Sequence, residues 1–103
     1  MNGRLQDKIA IITGAGAGIG EATAKKFVKE GAKVIIAEIN SESGIKVAEE
    51  INNNGGKAHF IETDVTSSSS VKSMVEKTVS IFGSPEILIN NAGIVVFDDP
   101  LKL

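Results

Sequence analysis

Apolar residues in this chain come in short unbroken runs separated by longer stretches of helical periodicity, and that alternation restricts the fold more than any other feature. Ile9, Ala10, Ile11 and Ile12 fill a first run, Lys8 to Thr13, and Val34, Ile35, Ile36 and Ala37 a second, Lys33 to Ile39. A shorter third run spans Lys57 to Glu62, and Ile87-Leu88-Ile89 centres a fourth, Glu86 to Asn90. The apolar runs lack polar alternation, which suits strands covered on both faces, as in parallel sheets.

The intervening segments read as helices. After the glycine-rich stretch Gly14 to Gly20, the residues Ile19, Ala22, Thr23, Phe27 and Val28 recur at helical spacing, and Gly31 stands where a helix ends. Ser41 to Asn54 is a second helix, with Ser41 as its cap, Ile45, Ala48 and Ile51 on one face, and Gly55-Gly56 as its stop. The serine run Ser67 to Ser70 caps a third, whose inner stripe is Val71, Met74, Val75, Thr78, Val79 and Phe82, with Gly83 beyond it. Ser84-Pro85 then turns the chain. Four strands alternating with three helices call for right-handed crossovers and an open α/β sheet. In the doubly wound order the strands lie 3-2-1-4. A length of 103 residues makes this one domain, 1–103, without internal repeats.

Composition removes several function classes. The chain has no cysteine, so disulfides, zinc–thiolate sites and thiol catalysis are excluded, in keeping with a cytoplasmic location. A single histidine, His59, cannot build a multi-histidine metal site; it reads as a strand-surface residue without a role. A net charge of -2 gives no basic footprint for nucleic acid or an anionic membrane. No apolar run approaches the ~20 residues of a membrane span. The N-terminal residues Met1 to Asp7 do not form a signal peptide.

The loop Thr13-Gly14-Ala15-Gly16-Ala17-Gly18-Ile19-Gly20 joins the first strand to the first helix, where a dinucleotide's pyrophosphate needs it. Glycines allow a tight turn and close backbone approach, while the helix N-terminus offers unpaired N–H groups and a positive dipole end. Taken alone, such a loop is equally a plain connection. It is not a P-loop, because no Gly-Lys-Ser/Thr follows. Glu38, at the end of the second strand, stands 20 residues beyond Gly18, where an acid can accept hydrogen bonds from ribose hydroxyls and repel a 2′-phosphate. Ala15, Ala17 and Ile39 provide no cation for such a phosphate. The expected cofactor is therefore NAD rather than NADP.

The spacing Thr13-Gly14-x-x-x-Gly18-x-Gly20, with Asn90-Asn91-Ala92-Gly93 after the fourth strand and Asp64-Val65 after the third, resembles the short-chain dehydrogenase/reductase family. The resemblance covers essentially the whole chain and implies a Rossmann-type doubly wound sheet. It places Gly14, Gly18, Ile19 and Gly20 along the pyrophosphate, and Gly16 and Ala17 near the adenosine ribose. Glu38 would hold the ribose hydroxyls and Ile39 would pack beside the adenine. Asp64 would accept from the adenine amino group, and Val65 would supply a backbone N–H. Asn90, Ala92 and Gly93 would wall the ribose between the strands, with Asn90 and Asn91 also serving as structural amides.

The resemblance also implies what the chain lacks. The family transfers hydride between nicotinamide and an alcohol or carbonyl compound, using a serine, a Tyr-x-x-x-Lys unit and an asparagine. No tyrosine occurs in these 103 residues. Lys25, Lys26, Lys72 and Lys77 have places on helix surfaces, and the serine run has no base to activate it. The chain therefore reads as the cofactor-binding half of a longer oxidoreductase, truncated after the fourth strand. The alternative is a non-catalytic NAD-binding module or interaction fragment. The parent is expected to be a homo-oligomer. The uncharged edge Ile87-Leu88-Ile89 and the apolar tail Ile94-Val95-Val96-Phe97 predict that the fragment associates through its fourth strand.

Overall fold

The computed structural model describes residues 3–90 in full and residues 93–96 by their backbone. Ala92 and Phe97 lie outside the described residues. The elements follow in the order β1 (Ile9–Thr13), α1 (Gly18–Lys29), β2 (Lys33–Glu38), α2 (Ser41–Asn53), β3 (Lys57–Glu62), α3 (Ser68–Ile81), β4 (Ile87–Asn90) and β5 (Gly93–Val96). The sheet order is β3-β2-β1-β4-β5. Its first four strands are mutually parallel, with Ile11 opposite Ile35 and Leu88, and Ile36 opposite Phe60. The order 3-2-1-4 and the alternation of strand and helix are those expected from the apolar runs.

One expectation is corrected. The fourth strand is not the edge of the sheet, because β5 returns antiparallel along it, with Ile87 opposite Val96 and Asn90 opposite Gly93. Ile94, Val95 and Val96 belong to this added strand rather than to an unpaired tail. The outer backbone of β4 thus finds its hydrogen-bond partners within the chain, and the argument for association through an open fourth strand loses its basis.

The central strands β1 and β2 are buried on both faces, and each face has its own core. On one, Ala10, Ile12, Val34 and Ile36 meet Ala24 of α1 and Val47, Ala48 and Ile51 of α2, with Phe27 and Val28 packed alongside. On the other, Ile11, Ile35, Ala37 and Ile61 meet Met74 of α3, flanked by Val71, Val75, Phe82 and Leu88. Helices α1 and α2 therefore cover one face and α3 the opposite one. β4 is half-buried along its whole length.

The helix faces differ in detail from the sequence reading. In α2 the buried positions are Gly44, Val47, Ala48 and Ile51, while Ile45 is exposed. Its cap is Asn40, whose side chain accepts from the Ser43 N–H, and Ser41 is the first helical residue. In α1 the sheet is met by Gly20 and Ala24, and Ile19 and Ala22 face outward. In α3, Met74 and Thr78 are buried and Val79 is exposed. Thr78 is tolerated in the core because its hydroxyl donates to the Met74 carbonyl at 2.9 Å. Ser67 caps α3 as expected, accepting from the Ser70 N–H. His59 is exposed on β3.

Candidate cofactor-binding site

The parallel strands end together, and the chain leaves β1 toward β2 on one side while β4 lies on the other. A crevice forms at that reversal of strand order, as it must in an open α/β sheet. Here it is a cleft of about 340 Å³ lined by Gly14, Ala17, Ile19, Gly20, Thr23, Ile89 and Asn90. The structure thus brings together the glycine loop and Asn90, which the sequence separates by some seventy residues.

The loop is built for close approach. Gly14 adopts φ 64° and Gly18 φ 58°, left-handed conformations that glycine takes without strain. The Gly14 N–H donates to the Ala37 carbonyl at 2.9 Å, which ties the loop to β2. The Thr13 hydroxyl donates to the Ile89 carbonyl at 3.4 Å, which ties it to β4. A side chain at Gly20 would collide with the Gly14 carbonyl, so the first turn of α1 lies directly on the loop. Ala17 occupies the N-cap of α1 and provides no side-chain cap. The first turn therefore keeps the unpaired N–H groups and positive dipole end that favour an anion.

Glu38 is half-buried at the end of β2. Its two carboxylate oxygens are held separately, Oε1 by the Gly16 N–H at 2.9 Å and Oε2 by the Asn40 N–H at 3.1 Å. The Glu38 carbonyl accepts from the Thr63 N–H at 3.0 Å, which brings the end of β3 alongside. Beyond it, the Asp64 carboxylate accepts from the Thr66 N–H at 2.9 Å and from the Thr66 hydroxyl at 2.6 Å. The side-chain and then the backbone bond of Thr66 hold the Asp64 carboxyl below its ordinary range. Both bonds fall on Oδ1. The Asp64 N–H donates to the Ser70 hydroxyl at 2.9 Å, which fixes this turn against α3.

Three large apolar side chains at these strand ends are open to solvent: Ile19 is 83% exposed, Ile39 61% and Val65 60%. All three occupy positions that the sequence motifs place against a dinucleotide. Of these, Ile19 also lines the cleft beside the glycine loop. Gly93 opens β5 opposite Asn90. The residues missed by sequence reasoning are Asn40, the cap of α2, Ser43 on α2, and Thr66, ahead of α3. Asn40 precedes a helical pattern and could have been found as a cap; the others are placed only by the fold.

A mainly parallel sheet in the order 3-2-1-4, with a glycine loop at its switch point and an acid at the end of the second strand, has the Rossmann-type architecture. The short chain dehydrogenase model matches residues 8–102, and the chain belongs to that family. An oxidoreductase of Thermotoga maritima is 43% identical over 102 residues, covering 95% of this chain and 40% of that protein. The crystal structure of a hydroxysteroid dehydrogenase from Escherichia coli superposes with a TM-score of 0.83 at 41% identity, covering 96% of this chain and 41% of that one. An oxidoreductase from Haemophilus influenza with bound NAD gives a TM-score of 0.80 at 35% identity, covering 84% of this chain and 31% of that one. The chain spans two fifths or less of the length of the curated relatives it matches.

Proposed function

We propose that these 103 residues are the NAD-binding part of a cytoplasmic short-chain oxidoreductase acting on an alcohol or carbonyl compound. The observation that carries the cofactor preference is the Glu38 carboxylate, fixed by two backbone amides at the end of β2. An oriented carboxylate accepts hydrogen bonds from the vicinal hydroxyls of a ribose and repels a phosphate at the same place. The loop offers the fit a dinucleotide requires. Gly14 and Gly20 keep side chains away from the approach to the α1 N-terminus, where a pyrophosphate would lie. Ile39 supplies apolar surface beside the adenine, Ile19 lies along the pyrophosphate, and Val65 offers its backbone N–H. Asn90 lines the cleft at the end of β4. A bound nicotinamide cofactor would supply the hydride-transfer chemistry. The residues present bind and orient the cofactor.

The chain's lack of tyrosine favours a specific reading of these residues by themselves: they form a cofactor-binding module without turnover. The family resemblance assigns proton transfer to a Tyr-x-x-x-Lys unit, and general acid–base catalysis needs a group within hydrogen-bond reach of the transferred proton. The whole protein's oxidoreductase activity, its homo-oligomeric state and its substrate then depend on sequence other than this. Sequencing the gene downstream of the Leu103 codon tests that assignment. A frame continuing to a serine and Tyr-x-x-x-Lys supports it, and an immediate stop codon overturns it.

Cofactor choice is tested by NADH fluorescence. The chain contains neither tryptophan nor tyrosine, so protein emission scarcely interferes. NADH is expected to bind and NADPH to bind more weakly; equal affinity would overturn the Glu38 argument. Replacing Glu38→Ala should weaken NADH binding by roughly 1.5–3 kcal/mol, the range for lost hydrogen bonds to a charged group.

A further inference from the structure

Gly16 is a glycine whose backbone does not require one. The left-handed glycines among the described residues are Gly14, Gly18, Gly31, Gly55 and Gly83, and Gly16 is not one of them. What surrounds its Cα does require one. A Cβ at this position would lie 2.5 Å from the Ser43 hydroxyl, 2.8 Å from Glu38 Oε1 and 2.9 Å from Glu38 Cγ. All three are side-chain atoms, so a methyl group here would displace the acid rather than break the loop. The Gly16 amide is itself buried, and Glu38 Oε1 is its hydrogen-bond acceptor at 2.9 Å. Helix α2 completes the arrangement. Asn40 caps it, holds Glu38 Oε2 through its own N–H, and receives the Ser43 hydroxyl on its carbonyl at 3.2 Å. Gly44 lets this turn lie close, since a side chain there would strike the Phe60 ring.

We propose that Gly16 is the positioning residue for Glu38: its missing side chain and its buried N–H latch the carboxylate to the glycine loop and so set the preference for an unphosphorylated ribose. This deepens the NAD reading given above and rests on it. In this arrangement a 2′-phosphate is refused on two grounds. It meets a negative charge, and the loop amide that could receive it is already occupied by that charge. The same link couples the acid to the loop, so that cofactor phosphates and ribose are read by one connected unit.

The test uses the purified 103-residue chain, with NADH and NADPH as separate fluorescent probes and circular dichroism to verify folding. Gly16→Ala should lower NADH affinity about tenfold while leaving NADPH affinity equal or higher, so that the ratio between them collapses. Glu38→Asp, one methylene shorter, vacates the space a Cβ at position 16 would need. The double variant Gly16→Ala/Glu38→Asp should therefore recover preference that Gly16→Ala alone has lost, a non-additivity expected of groups in contact. Gly18→Ala, altered at a left-handed position with nothing within 4 Å, serves as the comparison and should weaken both cofactors together.

A second measurement does not depend on the Gly16 variant folding. In the 15N-labelled chain without cofactor, the Gly16 amide should be protected from hydrogen exchange and should lose that protection in Glu38→Ala. A ratio unchanged in Gly16→Ala, a proportional loss of both cofactors, failure of the double variant to recover, or an amide indifferent to Glu38→Ala would each overturn the proposal. Equal binding of NADH and NADPH by the unaltered chain would instead remove the underlying NAD reading, and the amide measurement would still report whether the latch exists.

Discussion

Glycines in the loop after β1 serve different physical ends, and substitutions should separate them. At Gly18 the demand is conformational, with φ 58° and open space round the Cα. Alanine there should cost about 1–2 kcal/mol, the penalty for a left-handed residue with a Cβ. At Gly20 the demand is steric, because the obstructing atom is the Gly14 backbone carbonyl. Gly20→Ala should cost roughly 1–3 kcal/mol as overpacking and should also disturb NADH binding, since relief requires moving the loop itself. Denaturant melts with a parallel NADH titration check both outcomes. The glycine spacing was readable from the sequence; the distinction between the glycines was not, because it depends on which atoms of distant elements reach them.

At the scale of elements, caps were partly legible. Ser67 was identified within the serine run and does cap α3. At α2 the true cap is Asn40, one residue before Ser41, and either residue type suits the position by propensity alone. Removing either cap, by Asn40→Ala or Ser67→Ala, should destabilise the fold by about 1 kcal/mol, read as a shift in urea midpoint with unchanged slope. The apolar stripes were less legible. Ile45 and Val47 compete for the inner face of α2, and the sheet selects Val47 because Gly44 must meet Phe60 on the same side. Ile19 falls at helical spacing with Ala22 and Phe27, yet it is exposed because Gly20 and Ala24 are the positions that meet the sheet. The parallel order followed from unbroken apolar runs. The fifth strand did not, since a glycine and three apolar residues carry no sign of which edge they will join.

The whole molecule should respond to pH at both extremes through its surface ion pairs and the hydrogen bonds of its surface carboxylates. Lys25 bridges α1 and α2, reaching Glu21 at 2.6 Å and Glu50 at 2.8 Å. Its hydrogen bonds to Glu21 and then Glu50 raise its pKa above the ordinary 10.5. Stability from a raised pKa is complete below the unfolded value and is lost as pH climbs through the folded one. On the acid side, Glu50 is lowered by its bond to Lys25, Glu30 by the Arg4 backbone N–H, and Asp64 by Thr66. Stability from a lowered pKa is present above the unfolded value and is lost as pH falls through the folded one. Thermal midpoints should therefore be flat near neutrality, decline as pH drops below the ordinary carboxylate values of 4.5 and 3.8, and decline again above 10.5. Lys25→Met should remove the alkaline decline. A midpoint that continued to rise with pH beyond that value would contradict the assignment.

The antiparallel strand beside β4 bears on the order in which the sheet assembles. Contacts between β4 and β5 join near neighbours in sequence, with Asn90 opposite Gly93, and hairpins of this kind close in ~1–10 μs. Docking β4 beside β1 instead joins Ile9 to Glu86 across 77 positions, and the entropy of closing so long a loop makes that step slower. The hairpin is thus available before the parallel sheet it borders. A folding chain would meet β1 with one flank of β4 already satisfied and a single flank left open, which leaves β4 one direction in which to dock and hides from other chains the strand that arrives last.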